Sequence, residues 1–129
     1  MKTGNLFITT ALVEFVMGFV LILFPSMTAE ILLGLPISTI AGTTVGRVAG
    51  AALISLAVAC WLARNDEQSN AAKGLIVAML LYNITVTVIL VYTVVVLVLT
   101  VVLLLALITH LGLIAWCVYA LQNVKRNKT

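Results

Sequence analysis

Four long apolar segments of this 129-residue chain each carry one strongly polar residue near the centre: Glu14, Arg47, Asn83 and His110. A carboxylate, a guanidinium, an amide and an imidazole can together bind an ion, move a proton or hold the polar part of a ligand. Ionisable residues inside a membrane mark such sites, because a lone charge in hydrocarbon is costly. The same side chains could instead form a buried network that only fixes helix packing. Both interpretations stay open on the sequence.

The depth of these four residues follows from counting about 1.5 Å per helical residue from the end of each segment. Glu14 lies about 15 Å from Phe24, where the first segment ends, and Arg47 lies about 14 Å from Ser38, where the second segment begins. Because consecutive antiparallel helices are the commonest neighbours, we predict a direct ion pair between them. Asn83 and His110 fall in the same middle third and are expected to satisfy the remaining hydrogen-bonding groups.

The motifs of catalysis and metal binding are absent from this sequence. Cys60 and Cys117 each lie inside an apolar run, and neither C-x-x-C nor H-x-x-x-H spacing occurs. The cysteines are therefore interpreted as small packing residues. His110 has no second ligand beside it that would favour haem or a metal. We predict no catalytic residue, no metal site and no cofactor.

Small residues form a face on each of the first two segments. Gly42, Gly46 and Gly50 recur every four residues and share one side of a helix, beside Arg47. Gly18 occupies the corresponding small and polar face of the first segment. Such faces allow two helix backbones to approach closely. We predict helix packing here, within the bundle or against a second copy of the chain.

The composition indicates an integral membrane protein. The chain is 64% hydrophobic and 9% charged, whereas a soluble domain carries about 25% charged residues. The apolar surplus must face something other than water, so the lipid bilayer is the expected partner. The net charge of +3 comes from few groups. It is interpreted as membrane-orienting charge and not as a nucleic-acid surface.

The order of segments predicts an all-α, single-domain bundle of four membrane-spanning helices. Pro25 ends the first span, and Gly34 and Pro36 end a short helix beginning near Ser26, which is a plausible N-cap. That helix is too short to cross and is expected to lie in the interface. A turn is placed at about 94–100, because one helix through the last apolar run would be far too long. The predicted spans are 5–24, 38–63, 74–95 and 100–121.

The basic residues predict the orientation of the bundle. With four spans, both termini and the 64–73 loop share one side, and six of the seven basic residues fall there. The positive-inside rule makes that side cytoplasmic. We expect a multi-pass protein of the cell inner membrane. The six residues are Lys2, Arg64, Lys73, Lys125, Arg126 and Lys128.

Three short strings resemble small bacterial four-span inner-membrane proteins grouped as DoxX-like. They are Ile-Leu-Leu-Gly-Leu-Pro at 31–36, Gly-Arg-Val-Ala-Gly-Ala-Ala at 46–52 and Cys-Trp-Leu-Ala-Arg at 60–64. The resemblance covers about residues 6–64 and departs after Val94, where more Gly and Pro would be expected. It implies a four-helix membrane bundle. Some such proteins are associated with quinone-linked oxidoreductases, but no catalytic motif maps onto this chain.

Three functions are compatible with these features. The leading prediction is a non-enzymatic membrane protein, either an accessory subunit of a larger membrane complex or a binder of a lipophilic small molecule. The alternative is a small transporter or proton-coupled carrier that uses Glu14, Arg47 and His110. A quinone-linked redox subunit rests on the resemblance alone. The oligomeric state, including a homo-oligomer, is left open.

Overall fold

The computed structural model describes residues 3–66, 69–97 and 99–126, without the side chains of 124–126. Within these ranges the chain is all-α, and no strand occurs. Four of the five helices are long and apolar enough to cross a membrane, which makes the chain a multi-pass membrane protein. The helices are α1 Thr3–Leu23, α2 Pro25–Leu33, α3 Ile40–Ala63, α4 Asn70–Val96 and α5 Val101–Arg126.

The predicted turn in the long apolar run is confirmed. α4 ends at Val96 and α5 begins at Val101, although no Gly or Pro marks the reversal. Thr100 provides the local reason, because its Oγ1 accepts a hydrogen bond from the backbone N–H of Leu103 at 3.0 Å. A threonine at this position satisfies a free N–H of the first helical turn.

The short helix α2 follows the prediction with one correction. Gly34 adopts the left-handed conformation at φ 73° and donates to the carbonyl of Glu30, which ends the helix. Ser26 does not cap α2, because Pro25 already occupies the first turn and the N-cap position falls on Phe24. The Ser26 hydroxyl instead donates to the carbonyl of Ile37 at 2.9 Å. That bond ties the start of α2 to the segment that leads into α3.

Helices α1 and α3 form the tightest pair in the bundle, and α4 and α5 form the second. Gly18 and Gly50 face each other at the first of these interfaces. A Cβ atom on Gly18 would lie 2.6 Å from the carbonyl oxygen of Gly50, and the reciprocal distance is also 2.6 Å. The two backbones are therefore in direct contact, which only glycine permits at both positions.

The other two glycines of the α3 face have different neighbours. A Cβ atom on Gly46 would lie 3.1 Å from Cβ of Pro25, the first residue of α2. A Cβ atom on Gly42 would lie 2.5 Å from Cγ2 of Ile37, in the segment before α3. The start of α3 therefore extends past the end of α1 and runs beside α2.

The bundle is filled by side chains at the end where α1 begins and α3 ends. Cys60 and Cys117 are free and buried there, and the Cys60 thiol lies 3.6 Å from Sδ of Met79. This packing closes one half of the bundle. The largest buried members of the core are Leu6, Phe7, Ile76, Met79 and Leu113, together with the two cysteines.

Candidate functional site: a cavity between the helices

A cavity of about 370 Å³ lies in the other half of the bundle and is lined by residues from all five helices. Most of its wall is apolar. Polar side chains occur at four lining positions: Glu14, Tyr82, Thr109 and His110. The cavity extends from the level of Glu14 to Leu32 of α2, so α2 covers the end away from the packed core. The hydroxyl of Thr100 holds α2 there by donating to the carbonyl of Leu32 at 2.9 Å.

Glu14 is the most unusual group in this cavity, because its carboxyl is buried and incompletely hydrogen-bonded. The residue is 2% exposed. Its Oε2 accepts a hydrogen bond from the Tyr82 hydroxyl at 3.4 Å, which is long for an O–H···O bond. Its Oε1 is buried and has no hydrogen-bond partner. A carboxylate removed from water without a cation costs several kcal/mol, so this side chain is expensive to keep.

His110 and Asn83 form a second polar contact, next to the hydrogen bond between Glu14 and Tyr82, and this second contact is short. Asn83 donates from Nδ2 to the carbonyl of Met79 at 2.7 Å, so its Oδ1 is the acceptor that faces His110. The His110 Nδ1 lies 2.7 Å from that oxygen and must therefore carry the hydrogen. The Tyr82 ring meets the His110 ring edge-on, with centroids 6.0 Å apart. One layer of the bundle thus holds all of these polar groups.

The predicted ion pair between Glu14 and Arg47 does not form. Arg47 is exposed on the outside of the bundle and donates from Nε to the carbonyl of Ile22 at 3.2 Å. Because Gly18 lies against Gly50 in an antiparallel pair, Arg47 is level with the last turn of α1. It therefore lies about two helical turns, or about 10 Å, beyond the level of Glu14.

The ends of α1 and α3 are offset along the bundle. A depth measured from Phe24 and Ser38 is comparable only if these two residues lie at one level, but the first turn of α3 projects past the end of α1 beside α2. This offset moves Arg47 outward relative to Glu14. The structure accordingly brings Glu14, Asn83 and His110 into one region and leaves Arg47 out.

Tyr82 belongs to this region and is missing from the four residues predicted from the sequence. Its hydroxyl bonds to Glu14 and its ring packs on His110. A signal for it was present, because Tyr82 precedes Asn83 directly and lies at the same depth in its span. Successive helical positions point about 100° apart, however, and the sequence alone does not say which of them faces inward.

The cavity can bind a molecule, and its polar groups can exchange hydrogen bonds or a proton with it. Among the described residues, no group of three or more His, Cys, Asp or Glu side chains is arranged to hold a metal ion. In comparisons with known proteins, no family model matches this chain, and neither does any curated protein or solved structure. The cavity and its polar side chains are therefore the features that bear on function.

Proposed function

We propose that this chain is a non-enzymatic membrane protein that binds a lipophilic small molecule in the central cavity. The observation that carries the proposal is the buried Oε1 of Glu14, which has no partner and belongs to a residue that lines the cavity. An apolar wall with a few convergent polar groups is typical of small-molecule sites. The cavity volume of about 370 Å³ falls within their usual range of about 300–1,000 Å³.

The membrane setting decides which contacts supply affinity. A lipophilic ligand arrives from lipid tails that are as apolar as the cavity wall, so burying its apolar part gains little. The polar groups in the layer of Glu14 must then provide most of the selectivity. A hydrogen bond to an otherwise unsatisfied buried group removes a penalty of about 1–3 kcal/mol. Glu14 is therefore the residue on which ligand retention should depend.

A variant that fills the cavity tests the site. Ala106 lines the cavity on α5, and Ala106→Phe would place an aromatic ring in the space of the ligand. We expect the wild-type protein, extracted in mild detergent, to retain a lipophilic molecule that mass spectrometry detects. The Phe variant should retain at least about tenfold less, equivalent to about 1.4 kcal/mol of binding free energy.

The matched control is Ala115→Phe, on the same helix but exposed on its outer face. This variant should retain as much ligand as the wild type. Equal retention by both Phe variants would place the molecule on the lipid-facing surface and contradict the proposal.

The second candidate function is a proton-coupled carrier. It is favoured by two ionisable side chains, Glu14 and His110, that line one cavity from different helices. Net substrate flux in proteoliposomes would support a carrier, whereas retention without flux supports a binder. If the chain is instead an accessory subunit of a membrane complex, it should co-purify with larger partner proteins.

We further propose that the protein resides in the cell inner membrane with both termini cytoplasmic, and that it is related to the DoxX-like proteins. The two positions that test the orientation lie at opposite ends of α3: Ser38 precedes α3, and Asn70 is the first residue of α4. Ser38→Cys and Asn70→Cys would be made after Cys60 and Cys117 are replaced by Ala. A membrane-impermeant maleimide should label residue 38 in intact cells and residue 70 only after permeabilisation. The reverse pattern would invert the orientation, and labelling of both in intact cells would exclude four spans.

A further inference from the structure

When Glu14 is ionised, every hydrogen-bond donor among the polar side chains that line the cavity is already used within the protein. The Tyr82 hydroxyl donates to Glu14, and the Thr109 hydroxyl donates to the carbonyl of Leu105 at 2.9 Å. The His110 Nδ1 donates to Asn83. The backbone N–H groups of the lining helices are engaged in their own helical bonds. An incoming molecule therefore finds no free donor in the cavity wall to which its own acceptors could bond.

Acceptors, by contrast, remain free in the same layer. Glu14 Oε1 has no partner, and Nε2 of His110 is an acceptor because Nδ1 carries the hydrogen. Arg47 does not reach this layer, because it is exposed and donates to the carbonyl of Ile22 near the end of α1. The site thus offers a carboxylate and an imidazole nitrogen to a ligand that must supply both donors and positive charge.

We propose that the ligand is an amphiphilic amine, with its ammonium group on Glu14 between Tyr82 and His110. Its apolar chain would occupy the apolar part of the cavity that extends toward α2. This inference rests on the proposed function and adds the chemical class of the ligand to it.

The chemistry of an ammonium group fits these surroundings on two counts. It carries three donors and no acceptor, which complements a layer that has acceptors left over and no donors. It also forms a charge-assisted bond with the buried carboxylate, which is the stronger class of hydrogen bond. Tyr82 adds an aromatic ring next to the carboxylate, and aromatic rings attract cations.

Other ligand classes fit less well. An anion such as a fatty acid would place a second negative charge beside Glu14, and like charges repel strongly where the dielectric constant is low. A neutral alcohol supplies one donor but no charge, so it should bind more weakly than the amine of equal chain length. The preference for a cation is therefore the property to measure.

Three compounds with the same chain isolate the head group: dodecylamine, dodecanol and dodecanoate. Each would be added to the purified protein in nanodiscs, and bound ligand would be counted by native mass spectrometry at matched concentrations in the lipid. We expect the wild-type protein to bind dodecylamine at least tenfold more tightly than dodecanol, with dodecanoate weakest. Glu14→Gln should abolish the preference for the amine over dodecanol, because an amide carries no charge that attracts the ammonium group.

The matched control is Glu30→Gln, which removes the same charge from an exposed position on α2. It should keep the tenfold preference, because a surface charge alone does not create it. Equal binding of the amine and the alcohol by the wild type would overturn the amine inference while the proposed lipophilic binding stands. Binding of none of the three compounds would overturn both. The wild-type comparison decides the matter even if the Gln variant does not fold.

Discussion

Gly50→Ala is expected to destabilise the protein by about 3 kcal/mol, near the upper end for overpacking. The added Cβ atom would meet the carbonyl oxygen of Gly18 at 2.6 Å, and a backbone atom inside a helix cannot move aside as a side chain can. Helix propensity alone would favour alanine by about 1 kcal/mol, so the steric term must exceed that gain. Thermal unfolding in mild detergent measures the difference, and Gly50→Leu should be worse.

The control for this prediction is Gly112→Ala, where the added Cβ atom meets nothing within 4 Å. That variant should be as stable as the wild type or more stable, because only the propensity term applies. Gly46→Ala should lower the stability less than Gly50→Ala, although the sequence predicts a packing role for both glycines. The added Cβ atom on Gly46 would meet only side chains, the nearest being that of Pro25 at 3.1 Å. An unchanged melting temperature for Gly50→Ala would contradict the close approach of α1 and α3.

Asn83→Leu should destabilise the protein by about 2 kcal/mol, because the His110 Nδ1–H would be left without an acceptor. Asn83 is fully buried, so water cannot take the place of its oxygen. The bond between the two residues also joins α4 to α5 at 2.7 Å. Unfolding in bicelles would report the loss.

A second substitution separates the broken hydrogen bond from a mere change of shape. In the double variant Asn83→Leu with His110→Phe, both polar partners are gone, and part of the lost stability should return. Thr85→Val, at an exposed position of the same helix, should change stability by less than about 0.5 kcal/mol. Additive effects of the two substitutions at 83 and 110 would mean that the hydrogen bond contributes nothing to stability.

The sequence by itself determined the class of protein and the order of its elements. The chain has too few charged residues for a soluble domain of its size, and its apolar segments are long enough to cross a membrane. So much apolar surface requires a lipid bilayer as its partner. Pro25, Gly34 and Pro36 mark the short second helix, because each restricts the backbone locally and independently of the fold. The reversal after Val96 followed from length alone, as one helix could not stay within the membrane. These inferences depend only on local chemistry and on the thickness of hydrocarbon.

The sequence also located three members of the candidate site. Glu14, Asn83 and His110 are polar where their surroundings are apolar, and such residues turn inward because lipid does not satisfy them. The rule that polar residues turn inward also predicted Arg47 as a member of the candidate site, and this prediction is wrong. A long side chain near the end of a span can instead extend along the helix surface and bond to a backbone carbonyl.

The tertiary structure alone decided the register of the helices and the rotation of each one. The contact between Gly18 and Gly50 sets α1 against α3, and a shift of one turn would move every side chain by about 5.4 Å. That register separates Arg47 from Glu14, while the rotation of α4 brings Tyr82 to the carboxyl. Hydropathy cannot supply either quantity, because lipid-facing and inward-facing positions are equally apolar here. The unpartnered oxygen of Glu14 and the engagement of the hydroxyl and imidazole donors that line the cavity are consequences of packing, which is why no pattern in the sequence reveals them.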